Sequence, residues 1–367
     1  MQIKRLKIIN FRNYVKNVVD FDSNINIFLG HNAQGKTNLL EAIYYLSGGK
    51  SNRTFKDQEL IRWDQTFFNI SADLNTINGN YNLMIMNSYE GRKKIKINGL
   101  EQKKIPEDFK TVIFSPDDLT LIKGSPSGRR DFLDREISQI SSVYSKNLSD
   151  YYKILRQRNK VLKLDMNWNK KEENLSLWDE QLIHKGSLLL KKRLEMVHQI
   201  SILSRLIYRR LTNNRENIKL DYSSSLDLQD ISNIEEIKFF FSQQLKKLRN
   251  EELRSRFTLI GPHRDDLNIF IDQKSAKNYA SQGQQRTCIL ALKLSILEIV
   301  KGNCGEYPVL LLDDVFSELD DSRKSFLVQE IKKGIQTFIT GTMNEQRLKN
   351  VNIPVKLFRI NQGDIKV

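Results

Sequence analysis

Gly30-His31-Asn32-Ala33-Gln34-Gly35-Lys36-Thr37 decides the fold of this chain. These eight residues fit G-x-x-x-x-G-K-[ST], a pattern expected by chance in about 1% of chains of this size and composition. A short apolar run, Asn26-Ile27-Phe28-Leu29, leads into it, and Asn38 to Leu46 leaves it with helical spacing. In a strand, glycine loop and helix of this kind, successive backbone N–H groups curl round phosphate oxygens without Cβ clashes. Lys36 then faces the β/γ-phosphates, the Thr37 hydroxyl suits Mg²⁺, and the helix N-terminus adds a favourable dipole. ATP and Mg²⁺ are the cofactors this chemistry predicts.

A second landmark lies 277 residues beyond Lys36. Leu310-Leu311-Leu312-Asp313-Asp314 is an apolar strand that ends in two carboxylates. A buried strand that delivers Asp313 to its carboxyl edge holds a nucleotide's Mg²⁺ from the second side. Asp314, next to it, is placed to orient or deprotonate a water. Simple GTPases and kinases seldom separate loop and acidic strand so widely, whereas ATPases with a large helical insert do.

The 367 residues suggest about two domains. Lys and Arg number 59 against 44 Asp and Glu, a net charge of +15 that favours a polyanionic partner, nucleic acid first and anionic membrane second. No apolar run approaches the ~18 residues that span a bilayer, and charges interrupt the N-terminal MQIKRLKIINFRNY too often for a signal peptide. Cys288 and Cys304 are too few for a disulfide framework or a zinc cluster, so a reducing cytoplasm is expected.

Along the chain, 1–110 reads as short strands around one helix, with Ile3 to Ile9 alternating and Asn98-Gly99 marking a hairpin. Residues 111–256 read as a mainly helical insert, and 257–367 returns to strands and helices. Gly186 and polar stretches at 167–174 and 213–225 are expected to interrupt any long heptad run. The fold class is α/β, with P-loop material at both ends of the chain.

Ser281-Gln282-Gly283-Gln284-Gln285 opens the helix before the acidic strand. It is similar to the ABC-type signature S-x-G-Q, and Ser281 with Gln284 also spells an ordinary capping box. Ser317-Glu318-Leu319-Asp320 stands where an ABC D-loop stands, and Phe11-Arg12-Asn13-Tyr14 resembles the opening of SMC-type ATPases. With Phe114 to Leu119, Gly124 to Asp134 and Gly261 to Asp266, these segments make the whole chain resemble the RecF family of SMC/ABC-type ATPases.

The resemblance implies an ABC/SMC-type P-loop ATPase head, lobe I, with a mainly helical lobe II insert. It implies an ATP-dependent homodimer that sandwiches two nucleotides, each loop facing the partner's Ser281 and Gly283. Arg12, Asn13, Gln284 and Asp320 join the nucleotide-binding set on the same ground. It further implies weak DNA-stimulated ATPase activity, binding to single-stranded, gapped or junction DNA, and work with RecO and RecR in RecA loading, fork maintenance and SOS induction. Three departures stand out. Asp314 occupies the catalytic Glu position, Gly341 and Thr342 replace a switch His, and Ser115 to Asp118 contains no Gln.

Basic clusters suited to phosphate contacts include Arg92-Lys93-Lys94 with Lys96, Lys103-Lys104, Arg129-Arg130, Arg156/Arg158/Lys160 and Lys191-Lys192-Arg193. Arg129 and Arg130 lead as DNA contacts because they lie in a family-like segment. His263 beside two carboxylates reads as a structural turn. An ATP-gated DNA-binding scaffold that does not hydrolyse is the main alternative, and a small-molecule kinase is disfavoured by the signature, the charge and the insert.

Overall fold

The computed structural model describes residues 1–54, 56–91, 93–226, 233–341 and 354–366. Two compact units emerge, Met1–Asp118 with Arg286–Val367, and Leu119–Gln285. The strands, in chain order, are β1 (Gln2–Phe11), β2 (Tyr14–Asp20), β3 (Ile25–Leu29), β4 (Phe67–Thr76), β5 (Gly79–Ser88), β6 (Lys94–Ile97), β7 (Leu100–Gln102), β8 (Thr111–Phe114), β9 (Ile218–Ser223), β10 (Asp266–Ile271), β11 (Lys274–Ser275), β12 (Val309–Leu312), β13 (Thr337–Gly341), β14 (Val355–Asn361) and β15 (Asp364–Lys366).

The first unit holds two six-stranded sheets. One is antiparallel, in the order β2-β1-β4-β5-β6-β7. Its strands alternate as the sequence of β1 predicts: Leu6, Ile8, Ile70, Ala72, Leu83, Ile85 and Ile95 are buried, and the intervening residues face outward. Asn98 and Gly99 both take positive φ, 50° and 82°, which turns β6 into β7. The other sheet runs β15-β14-β3-β13-β12-β8 and is parallel except for β15. Both faces of its central strands are covered: β12 is an unbroken apolar run, and β3 and β13 stay largely buried although Asn26, Thr337 and Thr340 interrupt theirs. The carboxyl ends of β3, β12 and β13 therefore lie side by side, at the edge where α/β sheets place ligands. The helix Lys36–Gly48 packs Leu39, Leu40 and Ile43 into the core cluster formed with the antiparallel sheet's inner face.

The second unit is helical around a three-stranded sheet, β11-β10-β9. Helices Ser142–Lys163 and Trp168–Leu211 are joined by a four-residue link and pack together. The latter spans 44 residues without a break. The expected interruption at Gly186 and at 168–174 does not occur. Gly186 is a contact point, since a Cβ there would meet Phe241 Cε1 at 2.5 Å. Its missing side chain lets the Phe241 ring in, which offsets the helix-propensity cost. The unit breaks also fall later than the 110/111 and 256/257 positions read from sequence. Pairing of β8 with β12 keeps 111–118 in the first unit, and pairing of β10 with β9 keeps 266–271 in the second.

Candidate nucleotide site and charged surfaces

The loop Gly30–Thr37 joins β3 to the helix Lys36–Gly48. Gly30 is required because a Cβ would lie 2.5 Å from the Ile360 carbonyl oxygen. Gly35 has φ 113°, a conformation only glycine adopts easily, and the Asn13 amide packs where its Cβ would stand. His31, Asn32 and Ala33 are exposed at the loop's rim, with Ala33 at φ 63°. Lys36 is 9% exposed and its ammonium donates to the Gly30 and His31 carbonyls at 2.7 and 2.8 Å.

The turn between β1 and β2 braces this loop. Asn13 donates to the Gln34 carbonyl at 3.0 Å, and the Tyr14 hydroxyl donates to the Gly35 carbonyl at 2.9 Å. Arg12 grips Glu41 with two hydrogen bonds, at 2.9 and 2.7 Å. Glu41 is fully buried one helical turn after Thr37, and Arg53 reaches it at 3.3 Å and Asn38 at 2.9 Å. Sequence reasoning missed Glu41 and Arg53. Glu41 reads as one more helix residue, and only its i+4 spacing from Thr37 hinted at a shared face. Arg12, Asn13, Asn38, Arg53, Arg62 and Trp63 line a cleft of about 490 Å³.

Thr37 Oγ1 donates to Asp313 Oδ1 at 3.0 Å, so the loop and the acidic strand meet. The same oxygen accepts from Thr340 Oγ1 at 2.7 Å, and Thr340 in turn accepts the Asp314 N–H at 2.9 Å. Burial pushes the Asp313 carboxyl above its usual range, against the pull of Thr340 and Thr37. Asp314 sits in the left-handed region at φ 53°, where a short polar side chain is tolerated. Among the described residues no group of three or more His, Cys, Asp or Glu converges as a metal cage. One hydroxyl and one carboxylate, both hard oxygen donors, instead fit an ion whose other ligands come from water and phosphates, as Mg²⁺ prefers. Thr342, read with Gly341 as replacing a switch His, lies outside the described residues, as does Arg92. Asp118, in the segment without a Gln, caps the Ser115 N–H at 2.7 Å and pairs with buried Lys293 at 2.8 Å.

In the second unit, Ser281 and Gln284 form the capping box: Ser281 N–H donates to Gln284 Oε1 at 2.9 Å, and Gln284 N–H donates to Ser281 Oγ at 3.2 Å. Gly283 follows in the first turn of Gln282–Cys304. Asp320, in the first unit, caps the helix Asp321–Ile331 through the Arg323 N–H.

Arg129 is corrected as a DNA contact. It is 5% exposed, clasps Asp266 at 2.7 and 2.8 Å and donates to the Gly124 carbonyl at 2.9 Å, so its cation is already committed. Arg130 donates to the Asp265 carbonyl at 2.8 Å and keeps partial exposure. Arg158 and Arg193, counted in basic clusters, are fully buried. Arg158 pairs with Asp179 and Glu252, each at 2.6 Å, and Arg193 pairs with Asp134 at 2.8 Å. Helical geometry separates neighbours in sequence onto opposite faces, so a basic run is not a basic surface.

The antiparallel sheet supplies a surface instead. Its outward row across β2, β1, β4, β5 and β6 carries Lys16, Ile9, Asn69, Met86 and Lys94, and the next row carries Val18, Lys7, Ser71, Met84 and Lys96. Among the described residues these four lysines make no ion pair. Acids on this face include Glu101, opposite Lys96, Asp73, opposite Asn82, and Asp20, which is held by Arg5. No helix among the described residues is long and apolar enough to cross a membrane.

A family profile described as RecF/RecN/SMC N terminal domain matches residues 2–366. The DNA replication and repair protein RecF of Natranaerobius thermophilus is 45% identical over 99% of this chain and 97% of its own. A solved structure of the recombination mediator protein RecF-ATPrS in the RecFOR pathway superposes with a TM-score of 0.91 at 36% identity, covering 100% of this chain and 97% of that one. An Smc head domain from Pyrococcus furiosus, bound to the C-terminal domain of ScpA, shares the fold at 16% identity with a TM-score of 0.55, covering 99% of this chain and 95% of that one. The chain belongs to the RecF family, built on the α/β ABC/SMC-type P-loop ATPase head.

Proposed function

We propose that this protein is an ATP-gated DNA-binding repair factor of low turnover that acts in the cytoplasm with RecO- and RecR-type partners. The observation that carries the nucleotide half is the Thr37–Asp313 hydrogen bond, which joins a glycine loop to an acidic strand end. In this reading the Gly30–Thr37 amides and Lys36 cradle the phosphates, and Thr37 and Asp313 hold Mg²⁺. When bound there, the ion would neutralise charge on the phosphates. Arg12 and Asn13 keep the loop in shape, and the cleft beside Trp63 takes the nucleoside. Asp314 orients or deprotonates the attacking water. Its side chain is one methylene shorter than Glu, which supports slow hydrolysis. Ser281, Gly283, Gln284 and Asp320 complete the site of a second copy. The likeness to a solved structure of the recombination mediator protein RecF-ATP in the RecFOR pathway supports the assignment.

For DNA, Lys7, Lys16, Lys94 and Lys96 are the proposed contacts, with Arg130 retained from the sequence reading. Three strand spacings separate Lys7 from Lys96, about 14 Å, comparable with the ~12 Å major groove between two phosphate backbones. Lysines around uncharged Ser71, Asn69 and the methionines suit contacts that ignore base sequence. Gapped or junction DNA, RecA loading and SOS induction rest on family resemblance. The test is sedimentation with ATP, ADP or no nucleotide, with and without gapped DNA, alongside phosphate release. ATP-specific dimers that retain DNA support the reading. A protein equally dimeric with ADP, or one that never binds DNA, overturns it.

A further inference from the structure

The Gln284 carboxamide is held at both ends. Its oxygen accepts from the Ser281 N–H at 2.9 Å, while its Nε2 donates to Glu216 Oε1 at 2.8 Å. The other Glu216 oxygen accepts from the Tyr208 hydroxyl at 2.8 Å. Tyr208 is fully buried on the helix Trp168–Leu211. Glu216 thus ties a rigid helix to the signature segment, although 68 residues separate it from Gln284 and no local pattern announces it.

An amide side chain has two orientations of nearly equal shape, and its partners decide between them. Here one partner is an N–H that needs an acceptor, and the other is a carboxylate that needs a donor. Turning the amide over would place NH₂ against the Ser281 N–H and C=O against the Glu216 carboxylate. Both ends then repel. Separately, Ser281 Oγ accepts from the Gln284 backbone N–H at 3.2 Å, a bond that does not use the hydroxyl's own proton. Ser281 is exposed.

We infer that Glu216 is a positioning residue for the signature segment: by fixing the Gln284 amide it anchors the Ser281 backbone, and so holds the Ser281 hydroxyl in place for the γ-phosphate held by a second copy of this chain. The inference rests on the sandwich reading above. A merely structural role, tying the end of the long helix to β9, would lower stability without sparing nucleotide binding by the single chain.

The test uses the full chain with Glu216→Ala and Glu216→Gln. A glutamine carbonyl still accepts from Gln284 Nε2, so Glu216→Gln is expected to behave as wild type. Glu216→Ala is expected to weaken ATP-driven dimerisation by about 100-fold, about tenfold for the hydrogen bond to a carboxylate lost at each of two symmetric sites, with ATP affinity of the monomer within about twofold. Amide hydrogen exchange at Ser281 and Gln284 is expected to speed up in Glu216→Ala and not in Glu216→Gln. Unchanged exchange and dimerisation in Glu216→Ala, or a Glu216→Gln protein as defective as Glu216→Ala, overturns the inference. A wild type that stays monomeric with ATP overturns the sandwich, and the inferred role of the Ser281 hydroxyl falls with it. Exchange at Ser281 and Gln284 then still reports separately on whether Glu216 holds the amide.

Discussion

Thr37 and Asp313 lie 276 positions apart in the chain and 3.0 Å apart at a hydrogen bond. Everything catalytic in the proposed reading depends on that closure, because the loop by itself binds phosphate and the strand by itself binds little. Thr340 holds the same carboxylate from the next strand, so Asp313 is oriented from both sides.

Lys36→Ala should lower ATP affinity by at least about tenfold, the loss expected for a charged hydrogen bond to phosphate. Equilibrium binding of a fluorescent ATP analogue measures it. Unaltered affinity in a folded variant would remove the phosphate-loop assignment.

Asp314→Asn keeps shape and loses the carboxylate. Turnover should fall about 100-fold or more, the usual contribution of a general base, with ATP binding and ATP-driven dimerisation retained. Phosphate release under single-turnover conditions reports it, and an unimpaired rate would assign the base elsewhere.

Ser281→Arg should leave ATP binding by the monomer nearly intact, since Lys36 and Thr37 remain. A bulky cation in place of the hydroxyl should abolish the ATP-driven dimer. Light scattering with ATP gives the mass directly, and a variant that still dimerises would contradict the sandwich.

Lys94→Glu with Lys96→Glu should reduce the slope of log K against log salt by roughly 0.9 for each lost contact with duplex DNA. Stability should change by no more than about 0.5 kcal/mol, because both side chains face solvent. Arg129→Ala should do the reverse. It leaves Asp266 without its buried partner and should cost about 2 kcal/mol of stability. If Arg129→Ala instead leaves stability untouched and flattens the salt dependence, the two surfaces have been exchanged.

His263 supplies a pH signature. Burial lowers its folded pKa from 6.5 to about 4, where the neutral ring meets the Tyr151 hydroxyl at 2.7 Å. The unfolded chain therefore binds more protons between those values. The stabilisation is present in full above about pH 6.5 and is lost as pH falls towards 4, by up to about 3 kcal/mol. Burial raises the carboxyl of neighbouring Asp265, which works in the opposite direction. Urea unfolding of wild type against His263→Gln at pH 7.5 and 5 isolates the histidine. Equal pH slopes for the two would refute the assignment.

The elements that were legible in the sequence are those specified locally. The glycine loop, the apolar β12 ending in Asp313, the Asn98-Gly99 turn and the Ser281/Gln284 cap each need only a few adjacent residues. Gly186 was misleading, since its meaning lies in the Phe241 ring that packs against it. Arg129, Arg158 and Arg193 could not be told from surface cations, because their carboxylates come from elsewhere in the chain. The lysine face was half visible: Lys94 and Lys96 sit in one cluster, but strand pairing alone brings Lys7 and Lys16 alongside. Glu41 and Glu216 share that invisibility, each an ordinary glutamate until its partners are known.

The order of strands in the parallel sheet also has a consequence during synthesis. β3 pairs with β13, placing Ile25 beside Thr337, 312 positions later. At about 5–20 residues per second, a ribosome needs on the order of 15–60 s to deliver that neighbour. Until then β3 is an open edge, available to other nascent chains. The unit Leu119–Gln285, by contrast, is contiguous in the chain. A contiguous unit can fold while β3 still waits for its neighbours, and Asp313 and Thr340, delivered much later, then complete a site begun at Gly30.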